Sequence, residues 1–341
     1  LDGTKVKANA SKHKAMSHER MLKTEAELEA EIAALLRKAE LIDAQEDARY
    51  GKGKRGDEFP KELERRQDRL DALRKARAEL EAEAAADNAR RREQQARAAE
   101  EQAAEAIAAV DNDTSDAESE VSAQALAKEA QQAERRAKAA RGRAELARRL
   151  AIEKAQAADL TIPDPRIDVD PLAMPSRNLP TTAAGDPKAN AQRNFTDPDS
   201  HILKGGDGWI QGYNCQAAVD GDHQIIVAVG ASNQASDQHH FIPMLERIVA
   251  NTGQLPEKLI ADAGYCSTAN IEASEQRGLD SYLSTSRQEH GKRPRPSRGP
   301  APRDLDARGR MDRKLRSKAG QAIYALRKII AEPVFGQIKG A

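Results

Sequence analysis

Asp262, Glu332 and Asp2 stand where carboxylates can meet a ligand. Asp262 follows the short apolar run Lys258 to Ala261 and precedes Ala263-Gly264-Tyr265. Such a run predicts a strand, which leaves the carboxylate at a strand's C-terminal edge, where the ligand and catalytic groups of open α/β sheets lie. An Asp close to a Gly also builds turns with no further duty, and the residue alone fits either role. Glu332 closes the last helical stretch directly before Pro333, and in isolation it reads equally as a solvated glutamate. Asp2 precedes Gly3 on an alternating segment. Two further clusters carry metal-ligand side chains, Asp197, Asp199 and His201 in one and Asp220, Asp222 and His223 in the other. Both are accounted for by turn and loop chemistry. His239 and His240 read as the start of the following helix, and Trp209 as core or strand packing rather than a platform for bases.

The elements that must carry these residues follow from periodicity. The opening residues 1–11 set Val6, Ala8 and Ala10 against Lys5, Lys7 and Asn9, the period of a strand with one buried face. From His18 to Arg49 the spacing turns helical, with a seam of Leu28, Ile32, Leu35, Ala39 and Ile42 that requires a partner helix. Residues 50–60 combine glycines, charges and a proline and predict a turn. A second helical run follows with Leu63, Leu70, Leu73 and Leu80, then a stretch of Ala, Glu, Arg and Gln. Residues 111–118 interrupt it, and a third helix reaches about Ala158. Six prolines between 160 and 192 predict an extended connection. Beyond it come a hairpin around Asp220-Gly221-Asp222, a helix from Phe241 to Ala250, a strand from Lys258 to Ala261, a helix near Thr268 to Arg277, a strand at Asp280 and a last helical stretch from Asp312 to Ala331.

This order is mixed α/β, a split domain with a long helical insertion after its first strand. Aromatic residues are 3% of the chain and charged residues 32%, so one modest core plus extended helix is expected rather than several cores. The formal net charge is zero, yet residues 287–341 hold fifteen Lys and Arg against five Asp and Glu. A local basic field of that kind favours a polyanion, or is a solvated basic loop. The two cysteines, Cys215 and Cys266, form no CxxC pair, which argues for a reducing compartment and against structural zinc. No apolar run reaches the roughly 20 residues that span a bilayer, and a cytoplasmic protein is expected.

Four blocks in order, residues 1–11, residues 194–220, IADAGYCS at 260–267 and YALRKIIAEPVFGQIK at 324–339, resemble the successive blocks of the DDE transposase domain of bacterial insertion sequences. The arm between the first two resembles the Ala/Glu/Arg-rich insertion of one subgroup. The resemblance implies a ribonuclease-H-like mixed sheet split by a long antiparallel, coiled-coil-like helical insertion. It implies Asp2, Asp262 and Glu332 as catalytic and metal-binding acids, holding two Mg2+ (or Mn2+) ions for phosphodiester cleavage and strand transfer. Tyr324, Arg327 and Lys339 would bind DNA phosphates, although four residues rather than three separate Arg327 from Glu332, and Lys328 fits the strict count.

The expected partners are transposon-end DNA and a second copy of the chain, with no membrane and no small-molecule cofactor. The arm has two readings, a clamp for DNA or for a dimer, and a tolerated insertion with solvated faces. The expected organisation is a first strand at 1–15, the arm at 16–158, an extended linker at 159–192 and the rest of the catalytic core at 193–341. Only Leu1 precedes Asp2 and the chain stops shortly after Lys339, so the resemblance implies a segment cut at both ends. A catalytically silent remnant that at most binds DNA is the alternative. A structural coiled-coil protein would account for residues 18–158 and for nothing beyond them.

Overall fold

The computed structural model describes residues 1–50, 61–113, 120–167, 170–206, 208–286, 296–297, 299, 302 and 304–340, with side chains at 42–50, 111–113, 120–123 and 339–340 outside the description. The expected turn at 50–60 and most of the break at 111–118 therefore lie outside the described residues. The chain divides into two compact units. One is Leu1–Lys14, Val169–Arg177 and Thr196–Ala341, and the other is Ala15–Asp168 and Asn178–Phe195.

In the second, helical unit, α1 (His18–Tyr50), α2 (Lys61–Asp113) and α3 (Glu120–Ala157) form because long stretches of Ala, Leu, Glu, Lys and Arg carry no internal proline. At 53 residues α2 is about 80 Å long. The seam read from the sequence finds its partner: Leu28 and Ile32 of α1 are buried with Leu63, Leu70, Leu73 and Leu80 of α2. Arg66 pairs with Glu31 at 2.9 Å and Arg77 with Glu25 at 3.1 Å, so numbers rise on one helix as they fall on the other and the pair is antiparallel. Between α2 and α3 the buried apolar residues are small, Ala85 and Ala89 with Ala147 and Ala151, then Ala96 with Ala140 and Ala144, and buried Glu93 pairs with Arg141 at 2.8 Å. The stretch expected as an extended connection is partly packed. Leu179 and Ala191 are buried in the α1–α2 core, and β2 (Ala15–Ser17) pairs antiparallel with β3 (Gln192–Asn194). Buried Arg193 is held by Glu79 at 2.6 Å and by Glu83.

The first unit is built on β5 (Gly208–Val219). One edge of β5 pairs with β1 (Asp2–Lys7), and its other edge with β4 (His201–Gly205) and then β6 (Ile226–Ser232), all antiparallel. Gly212 sits at the crossing, where any Cβ would meet the Val6 carbonyl, so only glycine fits. The β5–β6 hairpin forms where expected, with Asp220 N–H donating to the Ile225 carbonyl at 2.8 Å. Next come α4 (Phe241–Thr252), then β7 (Lys258–Ala261) and β8 (Asp280–Leu283), a parallel pair joined through α5 (Thr268–Gln276). The Leu1 nitrogen donates to the Ile260 carbonyl at 2.9 Å, so β1 begins beside β7. Phe241, Met244, Leu245, Leu259, Ala261, Tyr265, Ile271 and Leu283 form the core behind these strands.

Three expectations need correction. Val6 is 44% exposed, because it is the inner half of β1, with Leu1 buried and Lys5 reaching to Asp237, that faces the unit. Trp209 is 60% exposed on β5 and packs in no core. The last helical stretch is not one helix ending at Ala331 but α6 (Ala307–Arg316), α7 (Lys318–Ala325) and α8 (Arg327–Gly340), with Pro333 inside α8. Asp306 and Ser317 cap α6 and α7 by accepting from Gly309 and Gly320 N–H, which explains the extra starts.

Candidate active site

Asp2 lies at the start of β1, and its Oδ1 accepts from Gly3 N–H at 2.9 Å. Its Oδ2 meets Arg327 Nη1 at 2.9 Å. Arg327 opens α8, three residues past Tyr324, and its other Nη reaches Glu332 Oε1 at 3.4 Å. One guanidinium thus bridges two of the three predicted acids. The Asp2 side chain is 14% exposed and the Glu332 side chain 50%, so the bridge runs from the interior to the surface. Burial lowers the Arg327 pKa, yet Asp2, Tyr324, Asp262 and Glu332 outweigh it and the group is held above its ordinary value.

Asp262 leaves β7 and caps the short 3₁₀ turn Ala263–Tyr265, its Oδ1 accepting from Gly264 N–H at 2.8 Å. The turn-building role that its sequence context allowed is therefore real, and it coexists with a place beside Asp2. Burial is the main cause of its raised pKa, opposed by the Gly264 N–H and reinforced by the charges of Asp2 and Asp237. A carboxylate that loses solvent next to other carboxylates is one that a cation would stabilise. Tyr324 is half-buried, with its pKa raised by burial and its hydroxyl bonded to Ser284. Lys328 is exposed beside half-buried Arg327. The side chain of Lys339 lies outside the described residues.

Asp2, Glu332 and Arg327 are thus brought together, with Asp262 close enough for its charge to act on Arg327. Among the described residues, however, no group of three His, Cys, Asp or Glu side chains converges as a metal site. Three carboxylates are the hard oxygen donors that Mg2+ or Mn2+ takes, so the donor chemistry fits; the position between Asp2 and Glu332 is held by Arg327. The clusters at 197–201 and 220–223 are turns: Asp197 accepts from Ser200 N–H and Tyr213 Oη, and Asp220 from the N–H groups of Asp222 and His223. His240 ends the 3₁₀ turn Asp237–His240, buried against Ser232 Oγ at 2.7 Å.

Sequence reasoning missed the polar layer beneath Asp262. Asp237 Oδ1 accepts from Asn214 Nδ2 at 2.7 Å, Gln216 Nε2 at 3.2 Å and Lys5 Nζ at 3.4 Å. Gln216 also accepts from the buried Tyr265 hydroxyl. A Cβ on Gly264 would stand 2.7 Å from Asp237 Oδ2 and 3.1 Å from Asp262 Oδ1, so glycine lets the two carboxylates share one wall. The available signal was the pair Asn214 and Gln216, polar residues two apart on one face of a strand.

Residues 181–341 match the family model described as Transposase DDE domain, which supports a DDE-type transposase. The matched segment contains Asp262, Tyr324, Arg327, Glu332 and Lys339 and leaves out Asp2 and the long helices. No curated protein and no solved structure matches the chain. Among the described residues no helix is long and apolar enough to cross a membrane.

Proposed function

We propose that this domain cleaves phosphodiester bonds and transfers strands at the DNA ends of an insertion sequence, with Asp2, Asp262 and Glu332 as its acids. The observation that carries the reading is the meeting of Asp2, Arg327 and Glu332 beside Asp262, from strand ends and a helix more than 300 residues apart in sequence. The antiparallel β1–β5–β6 arrangement beside a parallel β7–β8 pair supports a ribonuclease-H-like sheet. Asp2, Asp262 and Glu332 would hold Mg2+ or Mn2+, which when bound lowers the pKa of the attacking water or 3′ hydroxyl and stabilises the leaving oxygen.

The chain's own residues do the rest. Arg327, drawn toward a phosphate, releases Asp2 and Glu332 for a cation and offers a planar fork to the non-bridging oxygens. Tyr324 and Lys339 add a hydroxyl and a point charge along the same backbone. The Asp237 layer fixes the turn that aims Asp262. The helical unit serves to clamp DNA or to bring two copies together for paired-end cutting.

The test is Mg2+-dependent nicking of a supercoiled plasmid carrying the sequences that flank this reading frame. Asp262→Asn is expected to abolish nicking, and equal activity in that variant contradicts the assignment. A second reading, a silent domain that at most binds DNA, draws on the Arg327 bridge, which neutralises two acids internally. Calorimetric titration with Mg2+ in the presence of that DNA separates the two, since metal-linked heat that Asp262→Asn removes belongs only to the first.

A further inference from the structure

Pro333 sits seven positions into α8 and has no N–H, so the carbonyl four residues back, that of Ile329, has no donor from it. That oxygen is met from another element. Gln224, in the β5–β6 loop, donates its Nε2 to the Ile329 carbonyl at 2.8 Å. Gln224 also has φ of 57°, a left-handed backbone that non-glycine residues hold only where their surroundings fix it. The loop is prebuilt for this. Asp220 N–H closes it on the Ile225 carbonyl, and the Asp220 carboxylate accepts from the N–H groups of Asp222 and His223. It also lies on α8, since a Cβ on Gly221 would stand 3.6 Å from Ile330 Cδ1.

We propose that Gln224 is a positioning residue, a latch that holds α8 at its proline defect and so fixes Glu332, the residue immediately before Pro333. The helix cannot satisfy Ile329 through residue 333, and the hairpin tip supplies the donor three residues before the acid. The bond is exposed and adds little to global stability, but a displacement of about 1 Å at a reacting group can cost about a hundredfold in rate. The role assigned to Glu332 rests on the transposase reading above; the latch itself does not.

The experiment uses the full chain with Gln224→Ala, Gln224→Glu, which keeps length and loses the donor, Gln224→Lys, which keeps a donor, and Gln224→Ala combined with Pro333→Ala. Hydrogen exchange of the α8 amides is expected to quicken about three- to tenfold in the Ala and Glu variants. It should stay near wild type in Gln224→Lys and in the double variant, where residue 333 regains its N–H. Plasmid nicking at saturating DNA should fall about tenfold in the Ala and Glu variants, with the half-maximal DNA concentration unchanged. Unchanged exchange in Gln224→Ala, or equal losses in the Glu and Lys variants, overturns the latch. A wild-type chain that fails to nick counts against the proposed function, and the exchange measurements still decide the latch.

Discussion

Between α2 and α3 the apolar residues hidden from solvent are alanines, whereas the sheet unit buries Phe241, Met244, Leu245 and Tyr265 in one cluster. The alanine stripe lets two long helices approach closely but removes little apolar area per residue, so stability there is spread thinly along the helices. In the sheet unit it is concentrated, and the concentration is what holds polar groups such as Asn214, Gln216 and Asp237 at fixed positions. A rigid core can carry a site made of residues distant in sequence. A stripe of alanines can carry a long surface.

The largest effect that would sharpen this contrast is Phe241→Ala, expected to cost about 3–5 kcal/mol in the sheet unit. The sole tryptophan, Trp209, lies in that unit, so its fluorescence during urea unfolding reads the loss. A shift below about 1 kcal/mol would mean that the core is not concentrated there. Next is Asp237→Asn, which keeps the shape but lets an amide face the donors of Asn214 and Gln216. Nicking is expected to drop about tenfold to a hundredfold with little change in the unfolding midpoint.

A smaller effect is the pH dependence of His201. Burial, with the nearby Arg177 charge, lowers its pKa to about 4 from an ordinary value near 6.5. The folded state thus favours the neutral ring, which contributes stability above pH 6.5 and loses it as pH falls toward 4. After allowance for partial exposure the loss is on the order of 2 kcal/mol, and His201→Gln should flatten the unfolding midpoint across that window. If the variant and wild type keep parallel profiles, His201 is not the group responsible. The smallest is Ala144→Gly in the alanine stripe, expected at about 1 kcal/mol in the far-ultraviolet dichroism transition. A loss there larger than that of Phe241→Ala would reverse the comparison of the two units.

The same contrast explains what could be read in the sequence. Helical seams are local, and Leu28, Ile32, Leu63 and Leu70 announced their partner because spacing alone sets which face is buried. The strand at Lys258 to Ala261 and the hairpin around Asp220 carried equally local signals. The division of α6 from α7 and the support of α8 at Pro333 did not, since they turn on Ser317 as a cap and on Gln224 supplying a donor from far away in the chain. Trp209 misled because bulk predicts burial only on average, and this strand position faces outward. Of the candidate site, block order put forward the acids as candidates, while the Arg327 bridge and the Asp237 layer depend on strand pairing and appear only once β1, β5 and β7 are side by side.

The central claim is that Asp2, Asp262 and Glu332 serve one divalent-cation site. Electron paramagnetic resonance of Mn2+ titrated into the full chain with duplex DNA tests it most directly. The account predicts saturable Mn2+ binding that Asp262→Asn and Glu332→Gln each weaken by at least about tenfold, as a lost carboxylate ligand should. Binding that is absent in the wild type, or equal in all three proteins, would contradict it.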